Sequence, residues 1–156
     1  MPRLRLKMKV IFIYQAEGKS LQREAVAIKL CESVSRIIDL PETVEIEFAN
    51  LSPSVYGETI LDNRFKNRVR INNTLTAKEI VPALVHELIH LNQTHTGLLS
   101  VIRDGTYVWK NKKYNFPHAK QLTVKEHASL PWEVDVVEKQ QKILNEAIRL
   151  ALTING

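Results

Sequence analysis

The chain has a single cysteine, Cys31, so no disulfide can form within it and a disulfide-stapled secreted scaffold is excluded. It has only five glycines and six prolines, and no Gly/Ser stretch, repeat or biased segment, which argues against linkers, arrays and long disordered tracts. No apolar run approaches the roughly 20 residues that a membrane-spanning helix needs. Nor is there a block of one charge sign: the basic residues are scattered through both halves, although the net charge is +5 and the pI about 9.4. Contact with nucleic acid is permitted by that charge and not favoured by its distribution.

What is present fits one domain, residues 1–156, with 44% hydrophobic and 25% charged residues. The opening "MPRLRLKMKVIFIY" reads as a basic tail entering a strand, because its apolar part is short and no small-residue cleavage site follows. Cys31 lies among apolar residues and reads as core. A cytoplasmic location is expected.

Apolar Val10 to Tyr14 suggest a first strand. Ser20 can cap a helix in which Ala27, Leu30, Cys31, Val34, Ile37 and Ile38 recur at helical spacing as far as Leu40 and Pro41. In "TVEIEFANL" Val44, Ile46 and Phe48 alternate with Glu45, Glu47 and Ala49, the period of a half-buried strand. "VYGETILD" and "NRVRINN" read as two more short strands around the turn-rich "DNRFKN". Thr76 and Glu79 have capping-box spacing ahead of a further helix; Pro82 lies inside it, so either the first turn is kinked there or the regular helix begins near Val81. Asp104-Gly105 signals a hairpin, and "LPWEVDVVEKQQKILNEAIRLAL" a long helix whose core stripe is expected at Val134, Val137, Leu144, Ile148 and Ala151. The expected class is α+β, with a small, mostly antiparallel sheet packed against the central helix, an N-terminal helix and a long C-terminal helix.

That central helix carries "HELIH", residues 86–90. Residues four apart on a helix share a face, so His86 and His90 can direct imidazole nitrogens at one ion. Glu87 is displaced around the helix, where a carboxylate can take the proton of an attacking water, whose pKa zinc brings to about 7. Leu84, Leu88 and Leu91 form one apolar stripe and Val81, Val85 and Ile89 another, leaving Pro82, His86, His90 and Gln93 on the remaining face. A helix so buried must satisfy two histidines and a glutamate, and a metal does this.

Catalytic zinc sites usually have three protein ligands. His95 is nearest in sequence, but a metzincin would have a glycine at 93 and a histidine at 96, where this chain has Gln93 and Thr96. Glu133, opening the last helix on the side of Val137, Leu144 and Ile148, is the preferred third ligand, with His95 and then Asp135 as substitutes. With "LPWEVD" following "HELIH", residues 76–138 resemble small zincin metallopeptidases of the gluzincin type, above all short peptidases encoded by phages, and more distantly the SprT-like and IrrE-like groups. The resemblance implies a minimal zincin-like fold, zinc held by His86, His90 and a downstream residue, Glu87 as base, and a protein or peptide substrate, in the host cytoplasm if the chain is phage-encoded. Larger gluzincins often have an acidic residue where this chain has Val137, so the ligand histidines must be oriented by something else: Asp135, Glu138 or backbone carbonyls.

Tyr107, Tyr114, His118 and His127 lie between the two ligand helices and could fold over the site, and Trp109 and Trp132 read as core. "NRVRINN" is the expected edge strand for pairing with an extended peptide, its Arg68 and Arg70 suiting acidic side chains. Two other functions stay open: a metal-dependent endoribonuclease with an H-x-x-x-H pair and a later third histidine, and a zincin-shaped binding or regulatory protein without peptidase activity. The oligomeric state is not encoded in any motif.

Overall fold

The computed structural model describes residues 8–14, 21–61, 67–103, 105–116 and 122–154. The expectations for the basic tail, the Ser20 cap, most of the "DNRFKN" turn, Asp104 and His118 fall outside these. Strands β1 (Lys9–Tyr14), β2 (Thr43–Ala49), β3 (Gly57–Thr59) and β4 (Arg68–Asn72) form one sheet in the order β1-β2-β4-β3. Helix α1 (Leu21–Ser35) connects β1 to β2, and α2 (Ile80–His95) follows β4. A second sheet, β5 (Leu99–Arg103), β6 (Thr106–Trp109) and β7 (Lys112–Asn115), is followed by the short α3 (Val124–Ala128) and the long α4 (Pro131–Ile154).

The α+β class is as expected, with a different strand arrangement. In the sheet under α2, β1–β2 and β2–β4 are parallel and only β3–β4 is antiparallel, whereas the second sheet is wholly antiparallel. The stretch from β1 to β2 includes α1, long enough for a parallel crossover. From β2 the chain runs out to β3 and returns as β4 between them. "NRVRINN" is therefore not an edge strand: β3 is, with β1 at the other side. Arg68 and Arg70 are also not available to acidic substrate side chains. Arg68 pairs with Glu45 at 3.1 Å, and Arg70 with Glu47 and Glu58 at 2.6 Å each. These are register partners on neighbouring strands, so opposite charges sit directly across from each other and favour this register.

The other face of the sheet carries Val44, Ile46, Phe48, Val69 and Ile71 into a core shared with Ala27, Leu30, Cys31 and Val34 of α1 and Leu84, Val85, Leu88 and Ile89 of α2. Burial pushes the Cys31 thiol up to about 12, so it is an inert core residue. Trp109 and Trp132 are buried with Leu99 and Leu130 in a second cluster, beneath the β5–β7 sheet. Strand β7 and helix α3 lie in a stretch that reads as merely polar; α3 is wholly exposed and is started by a Thr123–Glu126 capping box.

Helix α4 is turned differently from its expected stripe. Trp132, Glu133, Val136, Ile143 and Ala147 are buried, while Val134, Val137 and Ile148 are exposed. Both sets recur at helical spacing, and packing against α1 and α2 selects the first. Glu133 does face inward, but on the side of Val136 and Ile143, not of Val137 and Ile148. We expect Ile143→Ala (side chain 6% exposed) to cost about 2–5 kcal/mol in urea denaturation, and Ile148→Ala (44% exposed) well under half of that. The reverse order would restore the original stripe.

Candidate metal centre

A reciprocal capping box forms in the turn just ahead of α2. The Thr76 N–H donates to Glu79 Oε1 at 3.0 Å, and the Glu79 N–H donates to Thr76 Oγ1 at 3.2 Å. Pro82 falls in the first turn, where its missing N–H costs nothing, and the helix runs on through His86, Glu87 and His90. Pro131 likewise opens α4, placing Glu133 in its first turn opposite the two histidines.

His86 Nε2 lies 3.3 Å from Glu133 Oε2, and His90 Nε2 lies 3.0 Å from Glu133 Oε1. One ligand atom from each residue falls within 4.8 Å of the others, and no second group of three such residues occurs among the described residues. Of the substitutes, His95 is exposed at the far end of α2, with Nε2 3.9 Å from Asp39. Asp135 sits behind the site, where its carboxylate accepts from Gln93 and pairs with Lys139.

Each histidine is held from behind by a glutamine. His86 Nδ1 is 2.9 Å from Gln140 Oε1, and His90 Nδ1 is 2.8 Å from Gln93 Oε1. The Gln93 amide N–H groups donate to the Trp132 carbonyl and to Asp135, so its oxygen must be the atom facing His90. Both rings therefore donate from Nδ1, and each Nε2 faces Glu133 with either a second proton or a lone pair. A lone pair facing a carboxylate is repulsive unless a cation lies between them. The three donors, one from each residue, lie within 4.8 Å of one another, near enough for one ion to reach them all. The donor set thus fits a metal ion, and two imidazoles with one carboxylate suit zinc among several transition metals.

Glu87 is buried beside this group and is not part of it. Thr59 Oγ1 donates to its Oε1 at 2.9 Å and lies 3.1 Å from its carbonyl oxygen. Strand β3 approaches so closely that a Cβ on Gly57 would stand 3.1 Å from Glu87 Cγ and 3.1 Å from the Arg70 carbonyl oxygen, so only glycine fits without displacement. Burial raises the Glu87 pKa, against the pull of His90, His86 and the Thr59 hydroxyl. His127, on α3, brings Nε2 to 3.6 Å from Glu133 Oε1. Tyr107 and Tyr114 pack on Trp132.

Neither Glu138 nor a backbone carbonyl orients the rings; Gln93 and Gln140 do. Gln93 had a signal, standing three residues after His90 on the same face, and so did Gln140, two turns after Glu133. Gly57 and Thr59 had none, since their position depends on strand order. Comparison of the chain with protein-family models, curated proteins and solved structures finds no match.

Without metal the cluster is satisfied by protons. Burial alone would lower the His86 pKa, but the hydrogen bond to Glu133 and the charges of Glu87 and Glu133 outweigh it and lift the value to about 9. Burial would raise the Glu133 pKa, yet hydrogen bonds from His86 and His90 hold it well below the usual carboxylate range. The His86 contribution to stability is full below its ordinary value of 6.5 and lost as pH rises through about 9. The Glu133 contribution is present above 4.5 and lost as pH falls toward its depressed value. Chelator-treated protein should lose thermal stability between about pH 6.5 and 9, and His86→Gln should flatten that fall; an unchanged slope in the variant would place the titration elsewhere.

Proposed function

We propose that this chain is a zinc-dependent metallopeptidase, a hydrolase of peptide bonds in which Glu87 is the base. The observation that carries this reading is the convergence of His86, His90 and Glu133 beside a buried carboxylate that is not one of the three. A zinc ion held there supplies an electrophile for the scissile carbonyl and makes water acidic enough to react near neutral pH. His86 and His90 would hold the ion through Nε2 and Glu133 through its carboxylate, with Gln140 and Gln93 keeping the rings aimed. Glu87 would accept the proton of the attacking water, and the same carboxyl can then protonate the leaving amine. An extended peptide would pair along edge strand β3, which reaches the site through Gly57 and Thr59.

The resemblance of "HELIH" and "LPWEVD" to short zincin peptidases of phages supports the same reading. No helix among the described residues is long and apolar enough to cross a membrane. With Cys31 as a buried free thiol, the proposed setting is the cytoplasm, that of the host if the chain is phage-encoded. The endoribonuclease pattern places its third histidine shortly after the pair in sequence, and the residue nearest that place, His95, lies beside Asp39 instead. A zincin-shaped binding protein is favoured by one observation, the approach of His127 to Glu133, since a fourth protein ligand would close the site.

Elemental analysis of protein purified without chelator tests the reading. We expect about one zinc per chain in the native protein, lost in His86→Ala, weakened in Glu133→Gln and retained in Glu87→Gln, whose peptide cleavage falls by roughly 10²–10⁴-fold. Absence of any transition metal after reconstitution would overturn it. Zinc retained in His127→Ala with cleavage newly gained would favour the closed, binding-protein form. Gly57→Ala, which presses on Glu87 Cγ, should keep its zinc and lose cleavage activity, measured on the same peptides; unchanged cleavage would show that Glu87 has room to shift without consequence.

A further inference from the structure

A cavity of about 230 Å³ opens directly beside the metal cluster. One wall is His86, Glu87 and Glu133, and facing it are the rings of Tyr107, Phe116 and Trp132. These rings come from β6, from the residue after β7 and from α4, so the second sheet, which contributes no member of the metal cluster, supplies much of this wall. They also brace one another. Tyr107 lies 5.0 Å from Trp132 between centroids, and Phe116 meets Trp132 edge-on at 6.2 Å. A wall of mutually packed rings is formed before any ligand arrives, which reduces the ordering cost of binding.

The cavity continues into a wider groove between Gly57–Glu58 and α3, sharing Gly57, Glu58, His86, Glu87, Leu122 and His127 with it. The chain carries a net charge of +5, yet no lysine or arginine lines either space among the described residues; Glu58, paired with Arg70, lines both, and Glu79 lines the groove.

We infer that the Tyr107–Phe116–Trp132 cavity is a specificity subsite that takes a bulky apolar side chain, aromatic or leucine-like, adjoining the bond to be cleaved, and that acidic neighbours are disfavoured. The inference rests on the metallopeptidase reading of the same site. The apolar side chain leaves water against aromatic rings, whereas an acidic one would lose its hydration against the same rings.

Binding is measured on Glu87→Gln, which cannot turn over, with and without added zinc. The probes are N-acetyl-Gly-Phe amide, N-acetyl-Gly-Ala amide and N-acetyl-Gly-Glu amide, followed by tryptophan fluorescence and NMR shifts. The phenylalanine peptide should bind at least about ten-fold more tightly than the alanine peptide, and the glutamate peptide most weakly. Adding Leu122→Trp, which fills the cavity from its rim, or Phe116→Ala should abolish the preference while circular dichroism stays native. Equal affinities, or a preference that survives both variants, overturn the subsite. Cleavage of longer peptides by the zinc-loaded native chain is scored separately. Failure to cleave any peptide while the binding preference holds tells against the peptidase reading and leaves the subsite standing. Cleavage that is indifferent to the neighbouring side chain overturns the subsite and leaves the peptidase reading intact.

Discussion

Helix α2 is buried on almost every side, and the rest of the molecule is arranged around that constraint. Its apolar residues meet the β1–β4 sheet and α1, leaving one polar face that cannot reach bulk water freely. That face carries His86, His90 and Gln93, each of which needs a partner, because a buried polar group without one costs on the order of 1–3 kcal/mol. Helix α4 meets the need with Glu133 and Gln140, and the edge strand β3 does so for Glu87 with Thr59. The site is thus the polar remainder of a core that is otherwise apolar.

The electrostatics of the two sides of the sheet are kept apart by the pleat. Outward residues of β2, β4 and β3 neutralise one another in the ladder Glu45–Arg68 and Glu47–Arg70–Glu58. The face toward α2 is apolar, so the cluster of His86, His90, Glu87 and Glu133 interacts chiefly with itself. Opposite charges in contact outweigh burial for His86 and Glu133, whereas for Glu87 burial dominates. Neighbouring groups on one helix turn are in this way given different proton affinities.

Local signals in the sequence were reliable where a single element decides the outcome. The capping box at Thr76, the parallel needs of His86 and His90 at helical spacing, the turn glycine at 105 and Pro131 at a helix start are all local, and the structure has each of them. Strand order was not legible, because "NRVRINN" looks the same at an edge as between two strands; its arginines find glutamates on both neighbours only when the sheet is assembled. The orientation of α4 was ambiguous for a related reason. Apolar residues recur on two of its faces, and Glu133 turns inward with the face of Val136 and Ile143. Gly57 has no meaning until β3 is laid against Glu87.

The cluster is split between two helices separated by the whole β5–β7 sheet and α3. During synthesis α2 is complete well before α4 has emerged, so His86 and His90 are present long before Glu133 can join them. Their contacts are of long sequence separation, which makes them late to form in folding as well. Completion of the cluster waits on the docking of α4, which brings Glu133 to the two histidines.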